Sequence, residues 1–268
     1  MDTAEFVARH PTPERSGIDL LYKFTRFDLN RLANLLVRKR LYFARPAEFN
    51  DPWEARPWIQ VDQMAERERW VNLLIQEGYS ERDAHEKVAA KMPQEVFEIS
   101  TGAMNQFFEK ALVCSLTTQK GHPLLWSHYA DGHRGLCLGF DTKNSPFRFA
   151  LKVSYQDRYP TRHHPIIDPM QRGFEDRSIL ATKSKVWSYE DEYRVVDHPL
   201  SEIRVGEFDG QCAILPDDAL TDVYFGVGMC EDHRWCIREM IKRGPFQLRI
   251  YEAKISKTSY SLSFDEVE

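Results

Sequence analysis

Leu29, Leu32, Leu35 and Leu36 recur at helical spacing behind Asp28, whose carboxylate can accept from the exposed amides of a first turn. Arg38, Lys39 and Arg40 follow this stripe and complement the negative end of the helix. Short runs of aromatic and aliphatic residues flank it, Ile18 to Thr25 and Leu41 to Ala44, so the chain opens with a predicted strand–helix–strand unit. Phe49-Asn50-Asp51-Pro52-Trp53-Glu54 then reads as a turn, because Asn and Asp bond back to the local backbone and Pro fixes the exit. Residues 62–112 are charged and rich in Ala and Glu. Their helical pattern is broken by Gly78 and Pro93, which predicts a helical insertion covering one side of the core.

Beyond the insertion the pattern predicts strands at Ala111 to Ser115, Leu136 to Phe140, Phe147 to Tyr155, Tyr193 to Val196, Cys212 to Leu215, Asp222 to Val227 and Gln247 to Lys254. Helices are expected from Pro123 to Asp131, stopped by Gly132, from Pro169 to Lys183, and from Glu231 to Arg243. Strands and helices mix without the alternation of a doubly wound sheet. The expected class is therefore α+β, with a mixed, mainly antiparallel split sheet. Residues 1–17 read as a flexible leader, and 18–268 as one domain carrying the insertion.

A hydrophobic share of 42% over 268 residues suffices for a sizeable core. No run approaches the roughly 18 apolar residues of a spanning helix, and the polar opening has no signal-like apolar stretch. A cytoplasmic protein with no membrane partner is expected. The net charge of −5 gives no global footprint for duplex nucleic acid. Five cysteines, without a Cys-x-x-Cys spacing, indicate neither a disulfide frame nor a zinc knuckle.

The chemistry concentrates in Lys183 to Val196. Glu190 and Glu192 stand one residue apart at the mouth of a strand, where residues i and i+2 project to one face. Carboxylates that close need a cation or a developing positive charge between them. Lys183, Lys185 and Arg194 can supply the cation, and a substrate can supply the charge. The plainer reading is a salt-bridge cluster at a strand entrance. Trp126 and Tyr129, three apart on a short helix, are a ring-binding wall or simply core. Trp187 is expected in the core. His163-His164 point different ways and predict no metal.

The chain resembles the bacterial family called domain of unknown function two-nine-seven-one. The resemblance rests on Leu21-Tyr22-Lys23-Phe24, on Phe49 to Glu54, on Cys114-Ser115-Leu116, on Leu125 to Asp141 and on Lys183 to Arg194. More distantly it is similar to the ADP-ribosyltransferase superfamily. There an opening strand like Tyr22-Lys23-Phe24-Thr25 runs into a helix cap, and a late strand carries Glu-x-Glu, here Glu190-Asp191-Glu192. Lys23 stands where those enzymes carry His or Arg. The resemblance implies NAD as substrate, no metal, and transfer of ADP-ribose to a macromolecular acceptor, protein or nucleic acid, by a toxin or phage-defence effector. Glu192 would stabilise the ribosyl cation and Glu190 would orient or deprotonate the acceptor. Tyr22, Lys23, Thr25, Arg26 and Arg194 would hold the substrate, with Lys23 and Arg26 on its pyrophosphate and Trp126 or Tyr129 against nicotinamide. Two other readings stay open. One is a metal-dependent nuclease built on Asp51, Glu54, Glu190 and Glu192 with Lys183. The other is a non-catalytic nucleotide-binding module, which Lys23 favours.

Overall fold

The computed structural model describes residues 2–55, 57–90, 102, 105, 108–164, 169–199 and 204–267. Residues 1–17, read from sequence as a loose leader, hold helix α1 (Thr3–Arg9), capped by Asp2. Phe6 stacks on Phe174, and the buried His10 ring bonds the Lys152 carbonyl and the Ser178 hydroxyl. Phe6, Val7 and His10 dock the segment, a signal too sparse to read as an amphipathic pattern.

The opening unit forms as predicted. Strand β1 (Leu20–Thr25) runs into helix α2 (Leu29–Leu36), with Asp28 accepting from the Arg31 amide at 3.0 Å. Seven further strands complete one sheet: β2 (Leu112–Thr117), β3 (Leu136–Asp141), β4 (Leu151–Lys152), β5 (Glu192–Asp197), β6 (Leu220–Phe225), β7 (Arg249–Ile255) and β8 (Leu262–Glu266). Their order is β8-β7-β6-β3-β1-β2-β5-β4, and every neighbouring pair except β6–β7 is antiparallel. The fold is α+β. Phe147 to Tyr155, expected as one strand, instead makes a 3-10 turn at Phe147–Phe149, then β4, then a short strand Ser154–Gln156.

The sheet is nearly severed in its middle. β1 matches β3 over six register pairs, Leu20↔Asp141 to Thr25↔Leu136, but meets β2 only at Tyr22↔Thr117. β2 in turn matches β5 over six pairs. Its abandoned edge is satisfied from elsewhere: Ala44 exchanges two backbone bonds with Val113, and Lys23 Nζ donates to the Ser115 carbonyl at 3.2 Å.

Leu21, Leu116, Leu138, Tyr193 and Val195 face α2 on one side of the sheet, in the main apolar core. In the insertion, α3 (Gln63–Gln76) and α4 (Glu81–Ala90) pack through Val71, Ala84 and Val88, with Gly78 at positive φ between them. The predicted break at Pro93 lies outside the described residues. The insertion is preceded by an unforeseen strand, Trp58–Val61, which pairs in parallel with Thr161–His164. Helix α5 (Pro123–Tyr129) packs Leu125 and Trp126 on the second face, over Tyr22 and Phe24. Helices α6 (Pro169–Leu180) and α7 (Glu231–Arg243) follow, α7 joining the parallel pair β6 and β7. Among the described residues no helix is long and apolar enough to cross a membrane.

Candidate functional site

Four short segments deliver charge to one place. The turn after Phe49 is held by Asp51, which accepts from the Trp53 amide at 2.9 Å, and it leaves Glu54 pointing inward. A strand at Thr182–Ser184 supplies Lys183. A 3-10 helix, Lys185–Glu190, ends on Glu190, and β5 starts on Glu192 with Arg194 two residues on. Between the two glutamates Asp191 takes a left-handed conformation, φ 42° and ψ 53°. Asp tolerates that region better than most residues, and its carboxylate is engaged by the Thr118 hydroxyl and by Lys152. The pair does converge, but not through the extended i, i+2 geometry expected from sequence. A helix end, a left-handed turn and a strand start bring the two carboxylates together.

Lys183 Nζ lies 2.5 Å from Glu190 Oε2, 3.1 Å from Glu192 Oε2 and 3.7 Å from Glu54 Oε2. Arg194 grips Glu192 with two nitrogens, at 2.7 and 3.0 Å, bonds Glu54, and donates to the Leu180 carbonyl at 2.7 Å. Tyr129 donates to Glu190 Oε1 at 2.6 Å, the Glu192 amide donates to Tyr155, and the Thr117 hydroxyl donates to the Glu190 carbonyl. All five charged side chains are buried, Arg194 completely. This is not a solvated surface cluster.

Burial alone would push Glu192 up, but Arg194 and Lys183 beside it hold its carboxyl down at about 2. Burial raises Glu54, and the neighbouring Glu192 adds to that against the pull of Arg194. Lys183 is raised because Glu192 and Glu54 outweigh its burial. The Tyr129 phenol is raised by burial and then by its bond to Glu190, so it stays a neutral donor. Three carboxyl groups thus share two buried cations, Lys183 and Arg194.

This cluster forms the floor of a cavity of about 120 Å³ at the split between β1 and β2. Tyr22, Phe24, Phe49 and Tyr129 supply ring surface to its lining, and Lys23 and Asn50 supply polar groups. Of the residues singled out from sequence, Tyr22, Lys23, Tyr129, Glu190 and Glu192 are thus brought together. Arg194 lies behind the lining, as a partner of the glutamates. Thr25 faces a different cavity, of about 480 Å³, against α2. Arg26 is exposed beyond the strand end. Trp126 is fully buried, donates to the Lys120 carbonyl at 2.7 Å and meets Phe24 edge-on, so it belongs to the core. Trp187, expected in the core, is only half-buried: its Nε1 donates to Asp51 at 2.9 Å and Lys183 lies 5.1 Å from its ring. From sequence Glu54 enters only the nuclease reading and Asn50 reads as a turn residue, while nothing local points to Thr117 or Tyr155. The Phe49–Glu54 motif was the available signal for the first two of these turn residues.

Residues 125–195 match the family described as Protein of unknown function (DUF2971). No curated protein and no solved structure matches the chain. The matched DUF2971 segment carries Tyr129, Lys183, Glu190, Glu192 and Arg194, while Lys23 and Glu54 come from outside it. Among the described residues no group of three or more His, Cys, Asp or Glu side chains is arranged to hold a metal ion.

Proposed function

We propose that the cavity at the split is the reaction site of an ADP-ribosyltransferase-like enzyme that takes NAD and passes its ADP-ribose to a macromolecular acceptor. The observation that carries this reading is the convergence of buried Glu54, Glu190 and Glu192 on an aromatic-lined cavity with Lys23 on its wall. Breaking the bond between nicotinamide and ribose leaves a sugar with positive character, and a fixed carboxylate beside it favours that charge. Glu192, locked by Arg194 and Lys183 and ionised down to about pH 2, is the fixed charge. Glu190, oriented by Tyr129, faces the incoming acceptor.

The balance of the step is simple. The C1′–N bond breaks and its electron pair leaves with nicotinamide, which departs neutral. The acceptor forms the new bond to C1′ and loses a proton toward Glu190 and solvent. A volume of about 120 Å³ lies below the ~300–1,000 Å³ of whole-ligand pockets, so the nicotinamide end enters and the rest of NAD lies outside. The pyrophosphate then lies toward Lys23. A toxin or phage-defence setting is what the resemblance implies for such an enzyme.

The nuclease reading gains no comparable support. Lys183 Nζ occupies the point where a cation shared by the three glutamates would sit, and Asp51 is committed to Trp53 and Trp187. The test is to incubate the protein with NAD and measure released nicotinamide, with and without a chelator. Release that survives the chelator and disappears in Glu192→Gln is the expected result. Bound NAD without release would select the non-catalytic module, and no binding at all would sink the reading.

A further inference from the structure

A second cavity, of about 530 Å³, lies against the first and shares Asn50, Glu54 and Lys183 with it. Its size falls within the ~300–1,000 Å³ range of small-molecule sites. Trp53, Tyr159 and Trp187 contribute three rings to its lining. Trp53 is 68% exposed, so most of its ring is accessible to a flat ligand at the cavity.

The polar tips around these rings are already used within the protein. Trp187 Nε1 donates to Asp51 Oδ2 at 2.9 Å, Tyr159 donates to the Trp53 carbonyl at 2.9 Å, and the Trp53 amide donates to Asp51. The backbone and two of the rings are therefore held in place while most of the Trp53 ring stays open, an arrangement that lowers the entropy lost when a flat ligand stacks. Gln156, Asn50 and Ser184 also line the cavity and can bond the edges of such a ligand. Arg158 lines it as well, next to the lining residue Asp157, and Lys185, between the lining residues Ser184 and Val186, is 67% exposed and 3.9 Å from Asp157. Both can meet phosphate.

We infer that this cavity binds an unpaired nucleobase, stacked on Trp53 and presented from a nucleotide or a single strand. Rings, edge-bonding amides and rim cations match that ligand together; an apolar side chain would leave the amides and cations unused. The base-pairing state matters, because a base inside a duplex offers no free face. That the base is also the group receiving the sugar rests on the transferase reading. The binding itself does not.

The experiment uses the full chain without NAD and titrates it with a short single-stranded oligodeoxyadenylate, with its duplex, and with adenosine monophosphate, following tryptophan fluorescence. The single strand is expected to bind and the duplex not. Trp53→Ala should weaken binding roughly ten-fold or more, and Trp53→Phe should recover part of the loss. Adenosine monophosphate binding as tightly as the strand would make a free nucleotide the source, and weaker binding would make it a polymer; either supports the site. Failure of both to bind, or Trp53→Ala binding like the parent, overturns it. Nicotinamide release from NAD in the same Trp53→Ala protein separates the two proposals, since Trp53 lines the second cavity and not the first.

Discussion

β1 has two edges, and they behave differently. Toward β3 it completes a six-pair ladder, and the surrounding side chains are the apolar core of Leu21, Leu138 and Phe140. Toward β2 it keeps one pair, and the gap holds Lys23, a cavity and a buried ion cluster. A complete ladder satisfies its own backbone and asks only for apolar cover. A broken one exposes carbonyls and amides that side chains must satisfy, so polar groups collect there. In this molecule the candidate site is the place where the sheet fails to close.

The first way to break the comparison is to remove one member from each side. Arg194→Met leaves Glu54 and Glu192 buried without their guanidinium and should destabilise by about 3–5 kcal/mol. Leu21→Ala in the apolar core should cost about 2–5 kcal/mol. Their pH dependence tells them apart in urea titrations. Lowering the pH protonates the stranded carboxylates and shrinks the Arg194→Met penalty, while the Leu21→Ala penalty stays flat.

Glu192 sharpens the contrast next. Its folded pKa of about 2 lies below the ordinary 4.5, so it contributes stability above pH 4.5 that is lost as pH falls toward 2. That loss amounts to about 3 kcal/mol. Glu192→Gln should erase this acid limb and lower nicotinamide release by roughly 100-fold or more. A buried, doubly paired carboxylate predicts a lower melting temperature for Glu192→Gln too. Glu54 runs the other way. Its raised pKa makes the ionised form a burden that is relieved as pH falls, so Glu54→Gln should retain the acid limb of Glu192.

At the split itself, Lys23→Met leaves the Ser115 carbonyl without its side-chain donor and should cost about 1–3 kcal/mol by thermal melting. The smallest effect belongs to Trp187→Ala. The ring is half-buried and contributes one hydrogen bond and one cation contact, so a loss of about 1 kcal/mol is expected. A drop of several kcal/mol would return Trp187 to the core.

Much of the molecule was legible in the chain because the relevant physics is local. The Leu29–Leu36 stripe with its Asp28 cap, helix Glu231–Arg243 and the apolar strands around Cys114 and Leu138 follow from periodicity. Glu190 and Glu192 were visible as a close acidic pair. The strand Trp58–Val61 was not, since its partner, Thr161–His164, lies a hundred residues on and its pairing has no local signature.

The sequence by itself determined most of the helices and core strands and that acidic and basic side chains gather near residue 190. It did so through spacing, capping and propensity, which act over a few residues. Only the tertiary structure decided that Glu54 joins them, that Arg194 and Trp126 are buried away from the cavity, and that Trp187 is not core. Those outcomes depend on which strand edges meet and which do not, and that is settled by contacts between residues far apart in the chain.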